Sequence, residues 1–563
     1  MRIIKFISIL ALGIGLIGLV SASPLRPRQA QQAPLGKWDI VGDSQVAAMH
    51  IVLASYKDIY IIDKLEVNKI KQANGNPAIS AIYDIETNQV TPLDLTTDTF
   101  CSAGSFFGNG TLFHGGGAEN GLGYNPGYQT ARFITPTDPN PNWIELPDGL
   151  VTDRWYPAMA TLPSGDVLIM GGALKGTGKN NANFNNPTYE IWSAGGPPQP
   201  QPVQFPFLVD TMPFNLYPFV HVMPNFENKQ LIFVFANTQG VLFDLGTNTA
   251  VSKTPVLPGG VRSYPLSGNS ILLPLKPSLN YKPTVMICGG NTVMEITSPA
   301  IASCGRIDPT DPNAQWEMDN FGGTGRVMPD SVLLPDAKVL YVNGAGTGFA
   351  GFHRGTKDNP LYLNDNPTLT PFIYDPETKE WNTNLVPSTV PRLYHSVATL
   401  VSDGRVFVTG SNPQPNVEVG TKFPTEYRVE MFTPPYLQTG LARPIINSVA
   451  GFTTLNTQRI DVTYQQSVEV KITKGQTNSF ITAAIIHHGF VTHSQSFSRK
   501  YVMLNVKSAQ FDPNDNNNLT LNLEMPPNPS ILPPGPSYLY ILDNGVPATY
   551  SVALTLGLTT TTT

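Results

Sequence analysis

Charged residues are scarce. Asp, Glu, Lys and Arg make up only 13% of the 563 residues, against a usual ~25%. No block of Lys or Arg occurs, and the formal charge is −6. Both facts exclude the electrostatic footprint of a nucleic-acid binder. After Val20 no apolar run is long enough to span a membrane. There is no HExxH, no CxxC and no Gly-x-Ser-x-Gly, and no phosphate-cradling Gly loop that opens a helix. The common zinc, serine-hydrolase and nucleotide signatures are therefore absent. Cysteine occurs only three times.

Gly (49) and Pro (52) are abundant, and hydrophobic residues reach 41%. That mixture reads as many short strands joined by tight turns, with enough apolar material for a core. The length suits two or three domains.

Arg2 and Lys5 precede an apolar stretch from Ile7 to Val20, and Val20-Ser21-Ala22 offers small residues at a cleavage point. Residues 1–22 read as a secretory signal peptide, the run being short for a span of ~20 residues. The expected location is extracellular, where disulfides persist. Cys288 and Cys304 flank a turn-rich segment and are expected to pair, which leaves Cys101 over. Sequons stand at Asn109-Gly110-Thr111 and Asn518-Leu519-Thr520, the second in an exposed-looking loop. Residues 557–563 form a Thr-rich tail.

A repeat runs through most of the chain: a polar turn, an apolar strand, then a Gly-containing turn. The strands fall at 59–62, 111–114, 167–170, 230–235, 284–287, 339–342 and 405–409. Seven units at a kelch-like period of about 50 residues predict a seven-bladed β-propeller. The pattern stops near Pro434-Pro435. From Ala442 to about Leu556 apolar and polar residues alternate, as in an immunoglobulin-like sandwich. The fold class is thus all-β. The propeller is assigned to 23–440, with residues 23–37 as a Pro/Gln-rich lead-in. The sandwich is assigned to 441–556.

A propeller is a scaffold, so function must come from a site. Phe100-Cys101-Ser102-Ala103-Gly104, Arg154-Trp155-Tyr156-Pro157 and Pro391-Arg392-Leu393-Tyr394-His395-Ser396 open the second, third and seventh blades. Val491-Thr492-His493-Ser494 lies between two strands of the C-terminal domain. The first three occupy one place in their repeats, at the innermost strand, so Cys101, Tyr156, Tyr394 and His395 are expected to converge on the axis. Imidazoles and phenols together suit a Cu(II) site of nitrogen and oxygen donors. Adjacent Tyr394 and His395 cannot share one pleated face; a bend there would aim both inward.

These patches, with Arg262-Ser263-Tyr264-Pro265-Leu266 of the fifth blade, resemble the copper radical oxidases, the family of galactose oxidase and glyoxal oxidase. The likeness spans nearly the whole mature chain and is closer to the glyoxal oxidases. Two departures from galactose oxidase point that way. Its tryptophan stacked over the thioether is replaced by Leu174 here, and no N-terminal carbohydrate-binding domain fits the lead-in. The resemblance implies one copper ion held by Tyr156, Tyr394, His395 and His493, and a self-made Cys101–Tyr156 thioether cofactor. It implies that Tyr394 acts as general base and that a radical on Tyr156 takes a hydrogen atom. Dioxygen leaves as H2O2.

The implied activity is oxidation of small aldehydes such as glyoxal and methylglyoxal, as hydrates, to carboxylic acids. Extracellular peroxidases would consume the peroxide, and a monomer without membrane or nucleic-acid partners is expected. Two rivals are an oxidase of primary or aromatic alcohols on the same site, and a non-catalytic propeller that binds glycan or protein. Trp155 is expected to face away from Tyr156, as strand neighbours do. His487 and His488 read as strand-end packing, and His50, His114, His221 and His353 as structural or surface residues. Arg262 is expected either to meet a substrate carbonyl or carboxylate, or to form a salt bridge within the ring.

Overall fold

A computed structural model describes residues 33–557 apart from 177–179, 195, 197–200, 357–358 and 457–458. The expected signal peptide, and all but the first residue of the Thr-rich tail, lie outside the described residues.

Residues Leu35–Thr563 form one compact unit. Among its described residues, seven antiparallel blades form the propeller. Each apolar strand of the repeat becomes the second strand of a blade: Asp58–Ile62, Leu112–Gly115, Val167–Met170, Leu231–Ala236, Val285–Gly289, Val339–Val342 and Val406–Gly410. A second strand is covered on both faces by neighbouring blades. That is why these segments are apolar without alternation and buried along nearly their whole length.

The ring is closed by a strand that the sevenfold repeat did not mark. Lys37–Asp43 forms the outer strand of the seventh blade, antiparallel to Arg428–Thr433, with Trp38 opposite Phe432. First and last parts of the propeller thus share one sheet. The sixth blade carries an insertion of two small hairpins, Ala345–Gly348 with Asn364–Pro367 and Arg354–Thr356 with Asn359–Leu361. Cys288 and Cys304 face each other on adjacent strands of the fifth blade and are disulfide-bonded.

The C-terminal segment forms the immunoglobulin-like sandwich. Ser467–Thr473 buries alternate residues, Val468, Val470 and Ile472, as a one-sided strand must. One hairpin of this segment leaves the sandwich. Phe490–Thr492 pairs antiparallel with His50–Leu53, the innermost strand of the first blade, and Gln495–Phe497 pairs with it in turn. The C-terminal domain thereby sends a two-stranded finger up the propeller axis.

Gly104 makes room for that finger. A Cβ there would stand 2.5 Å from the Phe490 ring. This gives the Phe-Cys-x-x-Gly patch a physical reason for its glycine.

Candidate active site

Four innermost strands are entered through the same short motif. Arg154-x-Tyr156, Arg262-x-Tyr264, Arg326-x-Met328 and Arg392-x-Tyr394 each place a buried arginine two residues ahead of an axial side chain. Each guanidinium donates to the carbonyl at the end of its blade's second strand. The acceptors are Gly171 at 3.0 Å, Gly289 at 2.6 Å, Asn343 at 3.0 Å and Gly410 at 2.7 Å. The arginine thus clamps the turn that presents the axial residue. Arg154 and Arg392 add buried ion pairs with Glu190 and Glu430. Arg392→Met would leave Glu430 charged and buried. We expect a loss of about 3–5 kcal/mol of stability, read from the denaturant midpoint.

Arg262 belongs to this clamp set. It donates to the carbonyls of Pro258, Gly289 and Ser303 and to Ser303 Oγ. Neither a role at the substrate nor a salt bridge describes it.

The axial residues share an unusual backbone. Cys101 (φ 53°), Tyr156 (φ 64°), Tyr217 (φ 46°), Met328 (φ 56°) and His395 (φ 63°) are all left-handed, just before innermost strands. Such non-glycine residues cost about 1–3 kcal/mol each where strained and concentrate at functional sites. The left-handed step also breaks the strand's alternation. Tyr394 and His395, which a regular pleat would send to opposite faces, stack at 3.8 Å between ring centroids and 28° between planes. The same break overturns the expectation for Trp155. Its indole lies beside the Tyr156 ring, centroids 5.0 Å apart at 38°.

His493 and Ser494 form the two-residue tip of the finger. Both have positive φ, 46° and 66°, as a type I′ turn requires. A position that usually takes Asn or Gly holds an imidazole, aimed at the axis. Its Nδ1 lies 2.6 Å from the Thr492 hydroxyl, which leaves Nε2 to face His395. The two Nε2 atoms stand 3.0 Å apart. Nitrogens bound at right angles to one ion, each at about 2.0–2.1 Å, would be about 2.9 Å apart.

All five residues singled out by sequence meet here. Cys101, Tyr156, Tyr394, His395 and His493 are at most 4% exposed. Cys101 Sγ is 3.3 Å from His493 Nε2, and its thiol also hydrogen-bonds to Tyr156. Cys101, His395 and His493 alone would suit a soft divalent metal. The adjacent phenols of Tyr156 and Tyr394 change that reading. With them the donor set becomes two nitrogens and two oxygens, which fits Cu(II), and the thiol is left beside the Tyr156 phenol. Burial pushes both phenols well above the usual tyrosine range. A bound cation supplies the charge that reverses this.

Sequence reasoning gave no role to three contributors. Tyr264 joins the two phenols, its hydroxyl 3.1 Å from that of Tyr156 and 3.2 Å from that of Tyr394. Its signal was the repeated Arg-x-Tyr. Tyr217 packs on His493 at 4.9 Å and donates to the Ser102 carbonyl. Phe352, from the sixth-blade insertion, stacks on Phe100 and meets Tyr394 and His395 edge-on; no local pattern announces it. The remaining histidines stay out of the site. His488 packs on Tyr538 and reaches Tyr540, and His487 is buried beside it. His114 bonds to Ser102 Oγ at 2.6 Å, and His221 to Ser270. His50 and His353 are also buried.

A family model described as glyoxal oxidase N-terminus matches residues 63–436. The chain belongs to the glyoxal oxidases, within the copper radical oxidases. A second model, galactose oxidase-like Early set domain, matches residues 449–554. An aldehyde oxidase GLOX of Vitis pseudoreticulata is 33% identical, covering 91% of this chain and 96% of its own length. Aldehyde oxidase GLOX1 of Arabidopsis thaliana is 32% identical, covering 91% of this chain and 83% of its own. Among solved structures, a fungal alcohol oxidase of the AA5 family in complex with copper shares the fold of this glyoxal oxidase relative. It superposes with a TM-score of 0.66 at 18% identity, covering 93% of this chain and all of its own.

Proposed function

We propose that the protein is a secreted, monomeric oxidase of small aldehydes. It binds them as hydrates and converts each, with dioxygen, to a carboxylic acid and H2O2. The observation that carries this is the buried meeting of Cys101 and Tyr156 beside Tyr394, His395 and His493. The aldehyde oxidase names of the plant relatives favour aldehydes over alcohols.

Copper, held by Tyr156, Tyr394, His395 and His493, would supply one-electron redox chemistry and polarise the substrate oxygen. The side chains do the rest. Cys101 joins the Tyr156 ring as a thioether, its S–H and a ring C–H giving two electrons and two protons to dioxygen, and the sulfur lowers the oxidation potential of that phenol. Tyr394 takes the substrate hydroxyl proton as general base. The Tyr156 radical takes the hydrogen atom from carbon. Dioxygen then accepts two electrons and two protons, so the hydrate RCH(OH)2 and O2 give RCOOH and H2O2. Extracellular peroxidases are natural consumers of that peroxide.

Phe100, Trp155 and Phe352 pack their rings against one another, Tyr156 and Tyr394. We assign them the selection of small substrates. Phe352→Ala should raise kcat/KM on benzyl alcohol by about tenfold. An unchanged ratio of benzyl alcohol to methylglyoxal turnover would contradict a gate at Phe352.

Oxygen uptake by the copper-loaded protein tests the function. Methylglyoxal and glyoxal should be consumed with H2O2 release, and glycerol, benzyl alcohol and galactose far more slowly. Uptake on the alcohols alone would keep the chemistry and overturn the substrate. Silence on the whole panel, with copper bound and no thioether present, would favour a binding propeller.

A further inference from the structure

Three blades offer a phenol at the same register of the same motif: Arg154-x-Tyr156, Arg262-x-Tyr264 and Arg392-x-Tyr394. The third and seventh blades give the two phenols already assigned. The fifth gives Tyr264, and it is not a bystander. Its ring lies 4.5 Å from that of Tyr156 at 31°. Its hydroxyl donates to the Tyr156 oxygen at 3.1 Å and stands 3.2 Å from the Tyr394 oxygen. A phenol has one hydrogen. It is given to Tyr156, so Tyr264 has no second hydrogen for Tyr394 once that phenol is deprotonated to act as base. Tyr264 is only 6% exposed, so water does not compete for these bonds.

We propose that Tyr264 is a positioning residue that keeps the Tyr156 radical strongly oxidising. A hydrogen bond to a phenolate oxygen is charge-assisted, whereas one to the neutral phenoxyl radical is weaker. Donation from Tyr264 therefore stabilises the reduced form more than the radical. It raises the potential at which Tyr156 gives up its electron, against the thioether, which lowers it. The two modifiers act on opposite sides of one phenol. Their balance leaves a radical that forms yet still removes hydrogen from carbon. At 3.1 and 3.2 Å from the two oxygens, the same hydroxyl sits between the radical-bearing phenol and the phenol that takes the substrate proton.

This inference rests on the proposed function, and Tyr264→Phe tests it. Phenylalanine keeps the ring contact and removes only the bridge. Copper content and the cross-linked Cys101–Tyr156 peptide are measured first. The protein is then titrated with ferricyanide, which takes one electron from Tyr156, while the radical absorption is followed. In the variant the radical should form at lower potential and persist longer. The kcat on methylglyoxal should fall about tenfold or more, with KM within threefold. A role in packing alone would move neither the potential nor kcat independently of KM. A cross-linked parent whose variant keeps the same potential, with kcat within twofold, overturns the inference alone. A copper-loaded parent that never cross-links overturns the functional reading, and this inference with it.

Discussion

Replacing Cys101 with alanine is expected to abolish the thioether and to lower turnover of methylglyoxal by about a thousandfold, or about 4 kcal/mol of barrier. The sulfur touches Tyr156 and lies 3.3 Å from His493 Nε2, yet two imidazoles and two phenols remain to bind the ion. Copper content should therefore stay near one per chain while activity collapses. The separation of the two readouts is the informative part. If sulfur were a metal ligand in its own right, metal content would fall with turnover. Full turnover in the alanine variant would mean that the radical needs no sulfur substituent, and the assignment of Cys101 would fail.

Replacing His493 with asparagine should produce the opposite pattern. Asparagine tolerates the left-handed turn at the fingertip, and Phe490, Val491 and Phe497 keep the finger buried along the axis. The fold should survive, with thermal stability little changed. Copper affinity should not. Loss of an outer partner of a metal-bound histidine costs about 10–100-fold, so loss of the imidazole itself should exceed 100-fold in Kd. Because the proposed thioether needs copper and dioxygen to take up its two electrons, the cross-linked peptide should also become scarce at limiting metal. Thr492→Val, which removes the hydroxyl beside His493 Nδ1, should give the smaller 10–100-fold loss. Unchanged affinity in His493→Asn would show that the axis is not the metal site.

The architecture was legible because its signals are local. An apolar segment between a polar turn and a glycine turn marks a strand covered on both sides, and seven such segments specify a ring. The patches of the site were visible as a leftover cysteine, an adjacent Tyr-His pair and a Thr-His-Ser loop, but His493 and the roles of all five residues came from the resemblance to the copper radical oxidases. What stayed hidden depends on tertiary contact or on a broken backbone rule. Lys37–Asp43 lies outside the sevenfold repeat, so only its pairing with Arg428–Thr433 reveals it as the closing strand. Trp155 was assigned to the far face because strand neighbours alternate, and the left-handed Tyr156 cancels that alternation. Tyr264 needed comparison across blades rather than along one. Phe352 sits in an insertion whose placement over the site is set by packing alone.

These contacts also define an order of dependence. Four arginine clamps hold axial turns, the finger delivers His493, and only then do the donors of three parts of the chain meet. Gly104→Ala probes the middle link. Its new methyl group would press on Phe490, so copper affinity should weaken although no donor is altered. Unchanged affinity would mean that the finger tolerates displacement.

The most direct test is a peptide map of the protein loaded with copper under air. The expected result is one fragment that joins the peptides of Cys101 and Tyr156, two hydrogens lighter than their sum, absent from protein kept free of copper. Separate peptides with an alkylatable Cys101 thiol, in protein carrying a full equivalent of copper and exposed to oxygen, would contradict the radical site.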